Sequence, residues 1–357
     1  MSSEPEVSPS DPTMPARPAT ETVKAGSAAS VPAITDDEAL RGCLERARER
    51  FSPALAPVTG IRRRGFAGTT SYALDVVAVE FADGEVDNIL LKDFCHSRLP
   101  KHAAIQRRDR ELRVYETLLE GQSLGTPRLY GACWDEAADR YWLLLEFVEG
   151  QLLRDCSFEY RLHAAAWLGR LHGRFRDQRR RLRACDFLLL HDAAFFQQAS
   201  ERARVAASSV SHQLARRLTA VLECYEALLP VLSREPETLV HGSYRPQNLL
   251  VVPSSEHVRL CPVDWEFAAF GQSTYDLAYL CDRFRGDRLE ALFDAYERAA
   301  EGSGFALRKR DELRYEVNCY RLHKKIHSLG HVAQRPHPQE TVLKLVAACE
   351  ELAQAVT

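Results

Sequence analysis

The sequence lacks an excess of charge of either sign. Its 47 Lys and Arg residues are offset by 50 Asp and Glu residues, which gives a formal net charge of −3 and a pI near 6.5. Proteins that bind nucleic acid or an anionic membrane surface through charge need a clear basic excess. We therefore expect neither nucleic acid nor a membrane among the partners of this chain.

Long apolar runs and paired cysteines are also missing. No window approaches the roughly 20 apolar residues that a membrane-spanning helix needs, and no basic start followed by an apolar stretch resembles a secretion signal. The ten cysteines are spread along the chain without CxxC pairs. This usage is typical of reduced thiols, so we expect a cytoplasmic protein.

The chain has 357 residues, of which 45% are hydrophobic and 27% are charged. This composition is typical of a globular protein. Residues 1–34 differ, because Ser, Pro, Ala, Thr and Glu dominate them. Such a segment cannot bury enough apolar surface to offset the entropy of ordering, so we predict a disordered tail. Thr35 and Glu38 then form a Thr-x-x-Glu capping box, which predicts the first helix.

Residues 58–94 have the pattern of β-strands. The runs SYALDVVAVEF and NILLKDF are rich in β-branched and aromatic residues, and an Asp-Gly turn separates them, so an antiparallel hairpin is predicted. A charged helix that ends at Gly121 and two more strand-like runs follow. This part is predicted to be a small β-rich lobe.

After Gly150 the apolar residues recur with a helical period. The one clear interruption is a polar hairpin, which contains TLVHGSYRPQNLLVV and RLCPVDWEF. The fold class is therefore predicted to be α+β, with an N-terminal lobe of residues 35–147 and a larger helical lobe of residues 148–357.

Lys92 is the first candidate for chemistry. A lone lysine on a strand is usually a solvated edge residue, but Lys92 follows an apolar run, and a later helix presents Glu111 and Tyr115 one turn apart. Glu111 is predicted to pair with Lys92 and to hold it against a phosphate group.

The loop of residues 241–248, HGSYRPQN, is the second candidate. Asn248 ends this loop, and Asp264 follows sixteen residues later. Amide and carboxylate oxygens are suitable ligands for Mg²⁺. Asp264 follows largely apolar residues, so a buried charge there needs a metal ion or another cation to neutralise it.

The order of these residues resembles a known family. His241-Gly242, Asn248, Asp264-Trp265-Glu266 and Asp276-Leu277-Ala278 follow one another as in the aminoglycoside phosphotransferase and choline kinase family. The resemblance extends over approximately residues 55–330. It implies a two-lobed protein-kinase-like fold, with ATP and Mg²⁺ as cofactors and a small-molecule or peptide acceptor.

The resemblance also implies roles for single residues at the nucleotide. Lys92 would hold the α- and β-phosphates, Glu111 would orient Lys92, and Asn248 and Asp264 would hold Mg²⁺. Two further segments are implied at the nucleotide: Glu146, Phe147 and Val148, whose backbone would bind adenine, and a phosphate-covering loop containing Gly65 and Gly68.

One position departs from the family pattern. The family has His-Gly-Asp in this loop, and the aspartate accepts the proton of the acceptor hydroxyl, whereas this chain has His241-Gly242-Ser243. Serine is no base near neutral pH. Arg245, two residues later, is predicted to contact the transferring phosphoryl group and to compensate partly. His241, Ser243 and Arg245 are thus the candidate catalytic residues, and Asp276 is predicted to brace their loop.

Three functions remain open at this point. The leading hypothesis is a slow or atypical phosphotransferase. The second is a pseudokinase that binds nucleotide and acts through a protein partner, and the third is transfer of a nucleotidyl group. The helical repeat of His323, His327 and His331 indicates a structural stripe, a wall of the acceptor pocket or, with less support, a metal site.

Overall fold

A computed structural model describes residues 36–51, 56–66, 72–97, 103–254, 257–302, 308–332 and 339–357. The predicted tail, the cap at Thr35 and Gly68 lie outside these residues. The first helix, α1, spans Asp36–Phe51, with Asp36, Asp37 and Glu38 in its first turn. Acidic residues at a helix N-terminus are stabilised by the helix dipole.

The N-terminal lobe contains an antiparallel sheet of five strands in the order β1-β2-β3-β5-β4. Its strands are β1 (Val58–Gly65), β2 (Tyr72–Phe81), β3 (Val86–Ser97), β4 (Leu129–Asp135) and β5 (Arg140–Glu146). The predicted hairpin is β2 and β3, and it is confirmed. Both strands contribute apolar side chains to the two faces of the sheet, so the sheet is covered on both sides.

Two helices cover this sheet. Helix α1 covers one face, where Leu40 and Leu44 join Val77, Val79 and Leu144 in a buried cluster. Helix α2 (Ala104–Val114) continues into a π-helical turn (Tyr115–Leu119) and belongs to the main core. That core extends into the helical lobe, so the two parts of the chain share buried surface.

The helical lobe contains nine helices within the described residues. They are α3 (Phe158–Arg176), α4 (Arg179–Ala184), α5 (Ala193–Val210), α6 (His212–Ala227), α7 (Leu229–Leu232), α8 (Thr274–Cys281), α9 (Gly286–Glu301), α10 (Arg310–Gly330) and α11 (Gln339–Gln354). Helices α3 and α9 approach closely at Gly169, where a Cβ atom would lie 2.4 Å from the carbonyl oxygen of Tyr296. No helix in the described ranges is both long and apolar enough to cross a membrane.

Two small sheets, rather than one isolated hairpin, lie within the helical lobe. The first has the order β10-β9-β6 and the second β7-β11-β8. Their strands are β6 (Gln151–Leu152), β7 (Leu189–Leu190), β8 (Thr238–Val240), β9 (Leu249–Pro253), β10 (Val258–Pro262) and β11 (Ala269–Gly271). The predicted hairpin is β9 and β10. Strands of two or three residues are too short to show a period of two, which explains why β6, β7 and β11 were not predicted.

Candidate active site

Lys92 connects the two lobes at the candidate site. It lies on the central strand β3, and its ammonium is 2.7 and 2.9 Å from the two carboxylate oxygens of Glu111 on α2. The same ammonium lies 2.9 Å from Oδ1 of Asp264, which follows β10. Lys92 is 8% exposed and Glu111 is 1% exposed. The predicted pairing of Lys92 with Glu111 is therefore present, and Asp264 completes a three-residue cluster.

The charges of this cluster shift the pKa values of Lys92 and Glu111. Burial by itself would lower the pKa of Lys92, but the carboxylates of Asp264 and Glu111 outweigh it and the pKa is raised. Burial raises the pKa of Glu111, and Lys92 offsets this effect only in part. The charge of Asp264 contributes to both shifts, because it favours the protonated form of each group.

The loop that follows β8 is held by Asp276 of α8. The backbone N–H groups of His241 and Gly242 donate to the Asp276 carboxylate at 2.6 and 3.0 Å. Gly242 has φ of +76°, and a Cβ atom there would lie 2.0 Å from the carbonyl oxygen of Phe267. The loop therefore requires glycine at this position, and the bracing role predicted for Asp276 has a direct structural basis.

His241 lies behind the loop, not at its surface. Its ring is fully buried, with Nε2 3.0 Å from the carbonyl oxygen of Val263 and Nδ1 accepting from the Ser243 N–H at 3.3 Å. Burial lowers the pKa of His241, so the ring is neutral near pH 7. Both ring nitrogens contact backbone atoms, so His241 supports the loop from behind, and its catalytic role stays a prediction.

Ser243 and Asn248 contact each other within the loop. The amide nitrogen of Asn248 donates to the carbonyl oxygen of Ser243 at 3.1 Å and to the Ser243 hydroxyl at 3.3 Å. This leaves the amide oxygen of Asn248 as the atom available to a cation. The backbone carbonyl of Asn248 accepts from the N–H of Val263 at 2.9 Å, so Asn248 lies beside the residue that precedes Asp264.

Asp264 adopts an uncommon backbone conformation for a residue with a side chain, with φ of +69°. Aspartate tolerates this region better than most residues. Its side chain is 31% exposed and close to Lys92. The amide oxygen of Asn248 and the carboxylate of Asp264 fit Mg²⁺, which prefers oxygen ligands and keeps several waters.

The predicted base-binding segment, Phe147 and Val148, directly follows β5. The ring of Phe147 lies 6.2 Å from that of Phe66, which directly follows Gly65 at the end of β1. The remainder of the predicted phosphate-covering loop lies outside the described residues.

Glu146 is anchored by its side chain, which sequence reasoning did not predict. Its carboxylate accepts from Arg259 of β10 at 2.7 and 2.8 Å, and this hydrogen bonding lowers the pKa of Glu146. Arg259 also donates to the carbonyl oxygens of Gly125 and Thr126 at 3.0 and 3.3 Å. Arg259 therefore ties the two lobes together, and no motif around it in the sequence signals this role.

A cavity of about 190 Å³ adjoins the other side of Ser243. Arg245 lines it with its guanidinium 5.3 Å from the ring of Tyr279. His327 and His331 of the predicted histidine stripe also line it, whereas His323 is fully buried and contacts the Tyr225 hydroxyl at 2.7 Å. In the described residues no group of three or more His, Cys, Asp and Glu side chains could hold a metal ion.

Comparisons with solved structures identify the fold. The structure of a microcompartment-associated aminopropanol kinase is 15% identical with a TM-score of 0.59, and the match covers 85% of this chain and 93% of that chain. Choline kinase LicA from Streptococcus pneumoniae is 15% identical with a TM-score of 0.54, over 86% and 97% of the two chains. The GDP complex of an aminoglycoside 2'-phosphotransferase has 13% identity and a TM-score of 0.55, over 90% and 100%.

These similarities confirm the predicted two-lobed, protein-kinase-like α+β fold. No curated protein matches the chain significantly in sequence. The profile of the Phosphotransferase enzyme family, in contrast, matches residues 78–313, a segment that includes Lys92, Glu111, Asn248, Asp264 and Asp276. This chain therefore belongs to the Phosphotransferase enzyme family.

Proposed function

We propose that this chain is an ATP- and Mg²⁺-dependent phosphotransferase that transfers the γ-phosphate to a hydroxyl group of a small molecule or peptide. The nucleotide would bind between a lobe of residues 35–147 and a lobe of residues 148–357. The observation that carries the proposal is the position of the Lys92 ammonium, within 2.9 Å of both Glu111 and Asp264. A lysine held in this way is suited to bind nucleotide phosphates.

The other residues of the site have the following roles in this proposal. Lys92 binds the α- and β-phosphates, the backbone of Phe147 and Val148 binds the base, and Arg245 faces the transferring phosphoryl group. Asn248 and Asp264 would hold Mg²⁺, which supplies charge neutralisation at the phosphate oxygens when bound. An acceptor oxygen forms a bond to the γ-phosphorus while the bond to the β,γ-bridging oxygen breaks, and the hydroxyl proton passes to water.

Ser243 makes this reaction slow. A general base contributes about 10²- to 10⁴-fold to rate, whereas phosphoryl transfer depends chiefly on positioning and charge neutralisation. The residues that would position ATP are present, and the base is the missing part. We therefore infer a rate that is low but above that of the uncatalysed reaction.

The second candidate is a pseudokinase that binds nucleotide and acts through a protein partner. It is favoured by the contacts of Ser243, whose hydroxyl is occupied by the Asn248 amide. The cavity beside Ser243 also has no carboxylate among its lining residues in the described part of the chain. A site without a carboxylate near the acceptor lacks the usual proton acceptor of this reaction.

Thermal unfolding with ATP, ADP or GTP, each with and without Mg²⁺, tests the nucleotide site. A ligand that binds only the folded state raises the melting temperature. We expect Mg-ATP to stabilise the protein, and we expect Asp264→Asn to remove the Mg²⁺-dependent part of that shift. GTP is included because a structurally similar aminoglycoside phosphotransferase was solved with GDP.

The control for this experiment is Asp294→Asn. Asp294 lies on α9 and pairs with Arg310 at 2.6 Å, so its loss removes a carboxylate without touching Lys92. The control should keep the full Mg²⁺ response. An unchanged Mg²⁺ response in Asp264→Asn, or no nucleotide response in the unmodified protein, would contradict the proposed site.

Ser243→Asp separates the slow enzyme from the pseudokinase. The cavity beside Ser243 gives a new carboxylate space, so we expect a folded variant with more phosphoryl transfer or ATP hydrolysis, by some part of about 10²- to 10⁴-fold. Ser243→Ala is the matched control and should show no gain. The melting temperature is measured alongside, because the new carboxylate would lie close to Asp264.

A folded, ATP-binding Ser243→Asp variant with no gain in transfer or hydrolysis would favour the pseudokinase. Release of pyrophosphate instead of ADP would favour transfer of the nucleotidyl group. Both products can be measured in the same reaction mixture, so a single assay distinguishes the three functions.

A further inference from the structure

The charged side chains that line the cavity beside Ser243 are all positive in the described part of the chain. Four arginines line it, namely Arg107, Arg110, Arg202 and Arg245, and no Asp or Glu does so in the described part of the chain. The described lining of the cavity is therefore cationic.

Two of the four arginines are already engaged by the protein. Arg110 donates to the carbonyl oxygens of Phe187 and Glu266 at 2.7 and 2.6 Å. Arg107 lies 3.6 Å from the Glu266 carboxylate and 4.4 Å from the ring of Phe267. These two guanidinium groups have structural partners and need no ligand.

Arg202 and Arg245 differ from that pair, because neither forms a salt bridge or a side-chain hydrogen bond with any residue that the structure describes. Arg245 contacts the ring of Tyr279 at 5.3 Å, but its Nε is buried without a hydrogen-bond partner. A buried polar group that lacks a hydrogen bond raises the free energy of the folded state. Two guanidinium groups without a carboxylate partner at one cavity are suited to bind an anion.

The neighbouring titratable groups respond to this positive charge. Burial lowers the pKa of Arg202, and the charge of Arg107 lowers it further. Burial likewise lowers the pKa of His327 well below its ordinary value, with further lowering by His323, His331, Arg202 and Arg245. The imidazole is therefore neutral near pH 7, while the arginines remain charged.

We propose that the acceptor is a small hydroxylated molecule with a carboxylate or phosphate group, and that Arg202 and Arg245 bind this oxyanion, Arg245 in addition to its contact with the transferring phosphoryl group. The inference rests on the proposed function, since it specifies the substrate class of the same site. A cavity of about 190 Å³ is smaller than the roughly 300–1,000 Å³ of pockets for drug-sized ligands, so the acceptor is small. A cationic amine would be repelled by the same two arginines.

Four probes of related size test the charge preference. They are glycerol 3-phosphate, glycerate, glycerol and choline, which are a phosphate, a carboxylate, a neutral alcohol and a cation. Binding to the full chain is measured at constant ionic strength, in saturating Mg-ADP so that the nucleotide site is filled. We expect binding of one or both anions and of neither glycerol nor choline. A preference for one anion distinguishes the carboxylate from the phosphate.

Substitutions of Arg202 and Arg245 then test whether these two residues form the anion site. Arg202→Gln and Arg245→Gln should each weaken anion binding by about 10- to 100-fold, the usual contribution of a charge-assisted hydrogen bond. Arg204→Gln is the matched control, because Arg204 lies on the same helix, is exposed and pairs with Glu226 at 2.7 Å. This control should bind the anion as the unmodified protein does.

Several outcomes overturn the proposal. These are equal or tighter binding of glycerol or choline, no binding of either anion, and anion binding that neither Arg202→Gln nor Arg245→Gln weakens. The thermal-unfolding experiment with nucleotides is interpreted independently of these probes. If Mg-ATP fails to bind, the phosphotransferase proposal fails, and the four probes are then compared without nucleotide to decide the charge preference by itself.

Discussion

The two sides of the loop at Ser243 handle charge in opposite ways. On the nucleotide side, one cation, Lys92, is shared by the carboxylates of Glu111 and Asp264. On the acceptor side, Arg202 and Arg245 have no carboxylate partner among the described residues. In the proposed function, the first arrangement would bind a metal ion and nucleotide phosphates, and the second would bind the anionic group of the acceptor.

Ser243 lies where these two regions meet. An aspartate at this position, as in the family that the sequence resembles, would place a negative charge at the edge of the acceptor cavity. Serine removes that charge and leaves the cavity cationic throughout its described lining. The two proposals, a reaction slowed by the missing base and a preference for an anionic acceptor, would thus have a common structural origin.

The largest expected effect follows from loss of Lys92. Lys92→Met leaves Glu111 buried without its partner, and breaking a buried ion pair costs about 3–5 kcal/mol of folding free energy. We also expect nucleotide binding to be lost to a much greater extent than in Arg245→Ala. Chemical denaturation measures the first effect and titration with Mg-ADP the second.

The pH dependence of the stability of Lys92→Met tests whether the loss comes from the unpaired Glu111 carboxyl. Without Lys92 the pKa of buried Glu111 rises further above its unfolded value, so the folded state binds the extra proton. In the unmodified protein this pKa is already raised to about 7, so the difference in stability between Lys92→Met and the unmodified protein should grow as the pH rises above about 7, where only the folded variant still holds the proton. Lys92→Met combined with Glu111→Gln should recover part of the loss. Full stability of Lys92→Met at pH 8 would contradict the cluster.

The next largest expected effect, on the acceptor side, is a loss of folding stability at low pH. Burial lowers the pKa of His191 to about 3, whereas an unfolded histidine has a pKa of about 6.5. The unfolded chain binds more protons between these values, so stability is lost as the pH falls below about 6.5. One such histidine contributes about 2 kcal/mol of loss between pH 7 and pH 5.

His191→Phe should therefore reduce the loss of stability in acid by up to that amount. Phenylalanine fits the aromatic surroundings, since the rings of Phe195 and Tyr275 lie 4.4 and 4.3 Å from the His191 ring. His212→Asn, at an exposed position, is the control and should leave the slope unchanged. Urea unfolding at several pH values measures both, and equal slopes in the unmodified protein and His191→Phe would refute the prediction.

The sequence predicted the nucleotide side more fully than the acceptor side, for a physical reason. Lys92 interrupts an apolar run within β3, and Asn248 and Asp264 lie beside the ends of β9 and β10, so each stands out as a polar residue in an apolar pattern. Arg107, Arg202 and Arg245 come from a helix, a second helix and a loop, and each resembles an ordinary charged surface residue. Only the packing of α2, α5 and the loop brings them to one cavity.

The interaction between Arg259 and Glu146 illustrates the same limit. Arg259 lies on a short strand, and Glu146 ends β5 more than one hundred residues earlier. Nothing local in either segment predicts that they meet. The predicted α+β class and the main hairpin depended on local pattern and were confirmed, whereas the small sheets of the helical lobe depend on tertiary pairing.

The smallest expected effect compares two arginines on one helix. Arg202 has no carboxylate partner among the described residues and lies near Arg107, whereas Arg204 pairs with Glu226 at 2.7 Å. Glutamine and arginine have nearly equal helix propensities, so the same substitution isolates the charge. We expect Arg202→Gln to stabilise the protein by about 0.5–1 kcal/mol, because it removes repulsion within the cavity. Arg204→Gln should instead destabilise it by about 0.2–1 kcal/mol, because it breaks an exposed ion pair.

Measurements at different salt and anion concentrations then test whether charge causes the difference in stability between Arg202→Gln and Arg204→Gln. Raising the NaCl concentration screens exposed charges, so both effects should shrink, the one at Arg204 more completely because that pair is exposed. Adding the preferred anion should reverse the sign at Arg202, since the unmodified protein gains stability from binding that Arg202→Gln has lost. If Arg202→Gln destabilises the chain without any anion, Arg202 has a structural partner, and the contrast between a lysine paired with carboxylates and arginines without a carboxylate partner would not hold.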